Sequence, residues 1–164
     1  AVQYWQERGT DTTVSFKVNP PEPRIRLALA KRPDGSFAVD CISTDGGGIP
    51  RNVIVSRGLS LVKLQALTFK EFVRKASYNP ARILGLNQKG HFRLGADADI
   101  TVLNLEKQEP VLSMVRGRVI MYRGYVCGKG SQVITTRAGE AFVRGKGLTP
   151  IVVELAESGF YQPL

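Results

Sequence analysis

Apolar positions change their spacing along this chain, and each change marks a different kind of element. Residues 12–18 (TTVSFKV) gather β-branched and aromatic side chains into a short run, the pattern of a buried strand. Asn19-Pro20-Pro21 ends it, because proline donates no hydrogen bond and restricts the residue before it. Residues 24–31 (RIRLALAK) have helix-forming composition, and Pro33-Asp34-Gly35 supplies turn chemistry. Residues 37–43 (FAVDCIS) are apolar apart from Asp40 and predict a second strand. Strand, helix and strand with short joints predict a parallel sheet or barrel.

The spacing then becomes helical. Thr68 with Glu71 three positions on fits a capping box, and Phe69, Phe72, Val73 and Ala76 share one face. Asn79-Pro80 reads as an N-cap followed by the first residue of a new helix, with Gly85 as its terminator. Two helices, 68–78 and 80–84, with a sharp bend between them are therefore expected. From Gly95 the pattern shortens again. Residues 99–103, 111–116 and 119–123 read as strands, the last two joined at Arg116-Gly117. In the tail, 133–136 and 151–153 suit strands and 154–158 a helical turn. The boundary between an α/β part, residues 1–92, and a β part, residues 93–164, falls near residues 90–95.

Composition narrows the class. With 164 residues, 43% hydrophobic and 8% aromatic, the chain can bury a core. No apolar run reaches the roughly 18–20 residues that span a bilayer, and the first residues lack a signal-peptide layout. A soluble, cytoplasmic protein is expected. Cys41 and Cys127 are far apart in apolar surroundings and read as two buried thiols. The net charge of +9 is spread from Arg8 to Lys146 without a block, so a solvated surface is favoured over nucleic-acid binding.

The segment that carries chemistry is Ile42-Ser43-Thr44-Asp45-Gly46-Gly47-Gly48. A strand ends on a carboxylate, and three glycines then leave the backbone open to a ligand. At the C-terminal end of a barrel strand, such a carboxylate sits where catalytic residues collect. It can ligate a metal and take a proton from metal-bound water. Taken alone, the segment fits a plain Asp-Gly turn equally well.

Three blocks in order resemble one family. Val18-Asn19-Pro20-Pro21 with the later Asp34-Gly35-Ser36 to Ser43-Thr44-Asp45 is similar to the passage that closes the barrel of dihydroorotase-like and hydantoinase-like amidohydrolases. Ala76-Ser77-Tyr78-Asn79-Pro80-Ala81-Arg82-Ile83-Leu84-Gly85-Leu86 is similar to their T-x-NPA-x-x-LGL helix pair. Lys89-Gly90 followed by Leu94-Gly95-Ala96-Asp97-Ala98-Asp99 and an apolar run is similar to their KG and DAD elements. Val115-Arg116-Gly117-Arg118-Val119-Ile120 resembles the strand pair that follows. The resemblance covers residues 18–125.

It implies an α/β fold: the C-terminal strands and helices of a TIM-type barrel, followed by part of a small flanking β-sandwich. It also implies a divalent metal, zinc being the expected ion, and water attacking an amide or cyclic amide carbonyl. Asp45 matches the eighth-strand aspartate, a metal ligand and the general base or acid. Asn19 and the backbone of Gly46 and Gly47 match substrate-touching positions, while Asp97 and Asp99 match structural ones. The family's His-x-His pair, bridging lysine and two later histidines have no counterpart here. The chain's one histidine, His91, falls in the joint before Gly95 and reads as a turn or surface residue. One carboxylate cannot hold a catalytic zinc, which takes about three protein ligands, and two strands do not close an eight-stranded barrel. An N-terminal portion or partner chain carrying the histidines is therefore expected, with the isolated chain inactive and the whole enzyme a homo-oligomer.

Within the family, Asn19-Pro20-Pro21 and the Asp34 to Asp40 spacing favour cyclic amides. Asp45-Gly46-Gly47 departs from the Asp-His of many dihydroorotases and looks closer to the Ser-Asp-Gly of isoaspartyl dipeptidase and N-acyl-amino-acid deacylases. The competing reading is a non-catalytic scaffold or partner-binding subunit derived from an amidohydrolase.

Overall fold

A proline in the middle of a helical run organises the larger part of this chain. The computed structural model describes residues 2–8, 21–44, 53–128 and 132–159. It divides into two units, residues 1–39 and 40–164. The first contains helices α1 (Val2–Arg8) and α2 (Pro21–Leu29). Pro21 opens α2, where its missing N–H leaves nothing unpaired, and Glu22 pairs with Arg26 at 2.7 Å. After α2 the Asp34 carboxylate accepts from the Ser36 amide at 2.9 Å, and the chain folds back so that Lys31 and Phe37 form one antiparallel bridge. The strand expected over residues 12–18 lies outside the described residues.

The strand expected over residues 37–43 does not form, and that lone bridge at Phe37 is its only ladder pairing among the described residues. Further along, the peptide groups bond to a helix instead. The Ile42 N–H donates to the Lys75 carbonyl at 3.2 Å, and the Asp40 carbonyl accepts from Asn79 Nδ2 at 2.7 Å.

The second unit begins its regular structure with helix α3 (Ile54–Lys63), which the sequence left unassigned. Its first residues Ile54 and Val55, like Val53 before them, are β-branched and Gly58 sits inside it, all poor helix signals. Packing overrides propensity here. Leu59 and Phe72 are each 3% exposed, and a Cβ placed on Gly58 would lie 2.1 Å from the Phe72 ring, so the glycine is what lets the two helices meet. Helix α4 (Phe69–Val73) starts at the expected capping box: the Glu71 N–H donates to Thr68 Oγ1 at 3.1 Å, and the Thr68 N–H to Glu71 Oε2 at 2.8 Å.

The expected break between two helices is absent. A π-turn (Arg74–Tyr78) runs straight into helix α5 (Asn79–Ile83). Asn79 is not an N-cap, since its own φ and ψ, −63° and −45°, are helical. Pro80 has no N–H to give, and a widened turn accommodates it. The Asn79 N–H reaches back five residues to the Arg74 carbonyl. Gly85 then ends α5 as expected, with the Leu86 N–H returning to the Ala81 carbonyl at 2.9 Å.

Four antiparallel strands follow in the order β1 (Ile100–Asn104), β2 (Glu109–Val115), β3 (Arg118–Tyr122) and β4 (Tyr125–Val126). Arg116 and Gly117, at φ +48° and +75°, make the two-residue turn whose twist suits a hairpin. The sheet is docked on α3 by Ser60 Oγ donating to Gln108 Oε1 at 2.8 Å. The tail forms β5 (Gln132–Thr135), helix α6 (Arg137–Gly145) and β6 (Thr149–Val152), the two strands parallel. Both strands lie close to their expected places; the connecting helix was not anticipated, since RAGEAFVRG holds two glycines. A 3₁₀ turn (Leu155–Glu157) completes the tail, and the Gly159 N–H donates to the Arg82 carbonyl at 3.0 Å.

The described residues thus form a mixed α/β chain in which no barrel closes. No helix among them is long and apolar enough to cross a membrane. Both cysteines are free, but only Cys41 is partly buried; Cys127 follows the edge strand β4 and is exposed, contrary to the expectation of two buried thiols.

Replacing Gly58 by alanine separates packing from propensity. Alanine favours a helix by about 1 kcal/mol, whereas overpacking against a ring costs about 1–3 kcal/mol. A net loss on the order of 1 kcal/mol is expected in urea unfolding. A raised midpoint would show that Phe72 moves aside freely.

Candidate active site

The residues singled out for chemistry, Asn19, Asp45, Gly46 and Gly47, lie outside the described residues, which stop at Thr44 before resuming at Val53. What is described is the segment leading up to residue 44 and the elements bonded to it. Asp40 and Ile42, five and three residues upstream of Asp45, are bonded to the helical run through Asn79 and Lys75. The reason is local. Asn79 N–H is spent on Arg74 and Pro80 offers none, so neither helical donor reaches the Lys75 carbonyl, and Ile42 N–H takes it.

The Lys75 side chain lies in the same place, 1% exposed. Burial pulls its ammonium below the ordinary lysine range, against the negative charges of Asp40 and Glu71. Burial likewise raises the Cys41 thiol, helped by Asp40 and opposed by Lys75. A thiol shifted upward is a poor nucleophile at neutral pH, which agrees with assigning Cys41 no chemistry. Sequence reading took Asn79 for an N-cap rather than a partner of Asp40, and it missed Lys75 altogether. The available signal was Pro80 within an otherwise continuous helical pattern.

The Lys89 and Asp97–Asp99 elements meet as an ion triad. Lys89 Nζ lies 2.7 Å from Asp97 Oδ2 and 2.5 Å from Asp99 Oδ2. Asp99 Oδ1 also accepts from the Arg116 N–H at 2.8 Å, so one carboxylate ties the loop after α5 to the β2–β3 turn. Gly90 is required beside it: its φ is +79°, and a Cβ would lie 2.9 Å from the Ser77 carbonyl oxygen. Burial alone would lower Lys89 and raise Asp99. The hydrogen bonds within the triad outweigh it, holding the ammonium above and the Asp99 carboxyl below their ordinary ranges. Asp97 and Asp99 are therefore committed to structure, as the sequence suggested.

His91 is committed as well. Its Nδ1 accepts from the Arg93 N–H at 3.2 Å, which leaves Nε2 carrying the proton, 2.9 Å from the Asn87 carbonyl. Among the described residues no three His, Cys, Asp or Glu side chains gather to hold a metal. Among the described residues, two shallow depressions of about 370 and 430 Å³ are lined in part by Arg74 with Tyr78 and by Asp97 with Arg116.

Comparison with known proteins agrees with this picture. The amidohydrolase family model matches residues 24–129. The dihydroorotase of Methanothermobacter thermautotrophicus is 26% identical over 174 residues, covering 80% of this chain and 39% of that protein. That of Desulforapulum autotrophicum is 30% identical over 159 residues, covering 69% and 36%. That of Syntrophus aciditrophicus reaches 61% over 46 residues, covering 28% and 11%. No solved structure matches the chain. The chain belongs to the amidohydrolase family. Within that family it is dihydroorotase-like, and it spans less than two fifths of the length of these relatives.

The triad makes a signed prediction. Asp99, with its pKa depressed in the fold, contributes stability that is full above the unfolded value near pH 4 and is lost as pH falls through the folded value. Lys89, with its pKa raised, contributes below about pH 10 and loses it as pH rises through the folded value. Lys89→Met leaves two carboxylates facing each other, at a cost on the order of 2 kcal/mol at pH 7. The penalty should shrink toward pH 5 as one carboxylate takes up a proton. A pH-independent penalty in urea titrations would mean the triad is not electrostatically coupled.

Proposed function

We propose that this chain is the C-terminal portion of a metal-dependent amidohydrolase that hydrolyses a carbon–nitrogen bond of an amide or cyclic amide, outside peptide linkages. The observation that carries this reading is the family match across residues 24–129, a span that includes Asp45. Residues 1–92 belong to a TIM-type barrel and residues 93–164 to a flanking β-sandwich. The relatives named as dihydroorotases favour a cyclic amide as substrate. The whole enzyme is a cytoplasmic homo-oligomer.

The described residues do not gather a ligand set, so they do not fit a metal by themselves. The proposal gives a divalent ion, zinc by expectation, one ligand from this chain, Asp45, and the others from an N-terminal portion or partner chain. The proton chemistry belongs to Asp45. Its carboxylate accepts a proton from the water whose oxygen bonds to the carbonyl carbon. It then returns that proton to the nitrogen as the C–N bond breaks, leaving a carboxylic acid and an amine. The open backbone at Gly46 and Gly47 touches the substrate. Asn19, which lies before the matched span, has the same role.

Asp45→Asn in the complete enzyme keeps the size of the side chain and removes the base. Turnover of cyclic amides should fall by about 10²–10⁴-fold. Wild-type turnover in that variant would remove Asp45 from the chemistry. A complete protein that binds no divalent metal and hydrolyses no amide would instead establish the scaffold reading.

A further inference from the structure

We infer that Asn79 is a positioning residue for the catalytic segment, acting with the carbonyl that Pro80 exposes on Lys75; this deepens the reading of Asp45 given above and rests on it. Two hydrogen bonds carry it. Asn79 Nδ2 donates to the Asp40 carbonyl at 2.7 Å, and the Lys75 carbonyl accepts from the Ile42 N–H at 3.2 Å. The pair of bonds falls on residues i and i+2, one donor and one acceptor, which is how a neighbouring strand engages one edge of an extended segment. A helix therefore supplies what a ladder partner otherwise would.

Both bonds depend on one dipeptide. Pro80 removes the N–H that would reach back to Lys75 in the widened turn, and the Asn79 N–H is spent on Arg74. Asn79 is itself helical, so its side chain is not needed as a cap and is free to cross to Asp40. The Lys75 side chain is buried at the same place, near the charges of Asp40 and Glu71, which encloses the anchored stretch. Asp45 follows Ile42 by three residues, and covalent geometry keeps it within about 11 Å. An anchor at residues 40 and 42 thus limits where the carboxylate can go, without touching substrate.

The test uses the complete enzyme with Asn79→Ala, Pro80→Ala and Asp45→Asn. Asn79→Ala removes the bond to Asp40; Pro80→Ala leaves that side chain alone and returns a competing helical N–H. Each should speed hydrogen exchange at the Ile42 amide about tenfold. Each should lower kcat by about 10–100-fold, the usual effect of losing a group that orients a catalytic ligand, with KM held within about threefold. Faster exchange with unchanged kcat, while Asp45→Asn is inactive, overturns the positioning role and spares the function. Unchanged exchange at Ile42 overturns the anchor itself. Wild-type turnover in Asp45→Asn instead sinks the functional reading and with it the positioning role, while exchange at Ile42 still reports the anchor. If Asn79→Ala exchanges rapidly throughout, it has unfolded, and Pro80→Ala decides alone.

Discussion

A single missing hydrogen, the backbone N–H that Pro80 does not have, sets the arrangement around the approach to Asp45. A helix that meets a proline must break, kink or widen, because one carbonyl loses its donor and the ring crowds the preceding turn. Here it widens, and the Asn79 N–H shifts to Arg74. The Lys75 carbonyl would be costly to bury unpaired, on the order of 1–3 kcal/mol. Ile42 N–H relieves that cost, so the helix and the segment before Asp45 stabilise each other. Neither element has this bond by itself: residues 40–42 pair with no strand among those described, and the helix cannot satisfy its own carbonyl.

The ion triad is the second fixed point, and its surroundings set it apart from three ion pairs on the surface. Glu22–Arg26, Glu140–Arg144 and Arg137–Glu154 join side chains of which at least one is 63% or more exposed, where pairing contributes about 0–1 kcal/mol. Lys89, Asp97 and Asp99 are each less than one third exposed, and Asp99 also receives the Arg116 amide. Removing one member leaves a charge with little solvent to replace its partner. That asymmetry, rather than the number of contacts, makes the loop after α5 and the start of the sheet one structure.

Much of this was legible in the sequence where the signal is local. The capping box at Thr68 and Glu71, the stop at Gly85 and the turn at Arg116-Gly117 each depend on residues within a few positions, and each formed. What failed depends on distant partners. Residues 37–43 have strand composition, but Phe37 and Ala38 bond back to the turn before them, and Asp40 and Ile42 bond to a helix more than thirty residues away. Asn79-Pro80 has the composition of a helix start, yet tertiary bonds favour a continuous run. Helix α3 contradicts its own propensities because Gly58 admits the Phe72 ring. The candidate site was legible in a different sense: the ordered motifs led to the family, while Asp45 lies outside the described residues, so its neighbours rather than its geometry bear the argument.

Those neighbours suggest how such a carboxylate is kept ready. A base must be held in place and yet leave room for a substrate, and the segment separates the two demands along its length. Its upstream peptide groups, at Asp40 and Ile42, are bonded beside a buried lysine. Its downstream end runs into Gly46, Gly47 and Gly48, which carry no side chains to block an approach. In barrel enzymes the start of a strand serves stability and its end serves chemistry. On the function proposed for Asp45, one asparagine, one proline and three glycines would supply the same polarity. Because the anchor is made of hydrogen bonds from a helix, it can hold the segment without using the side chains that face a substrate.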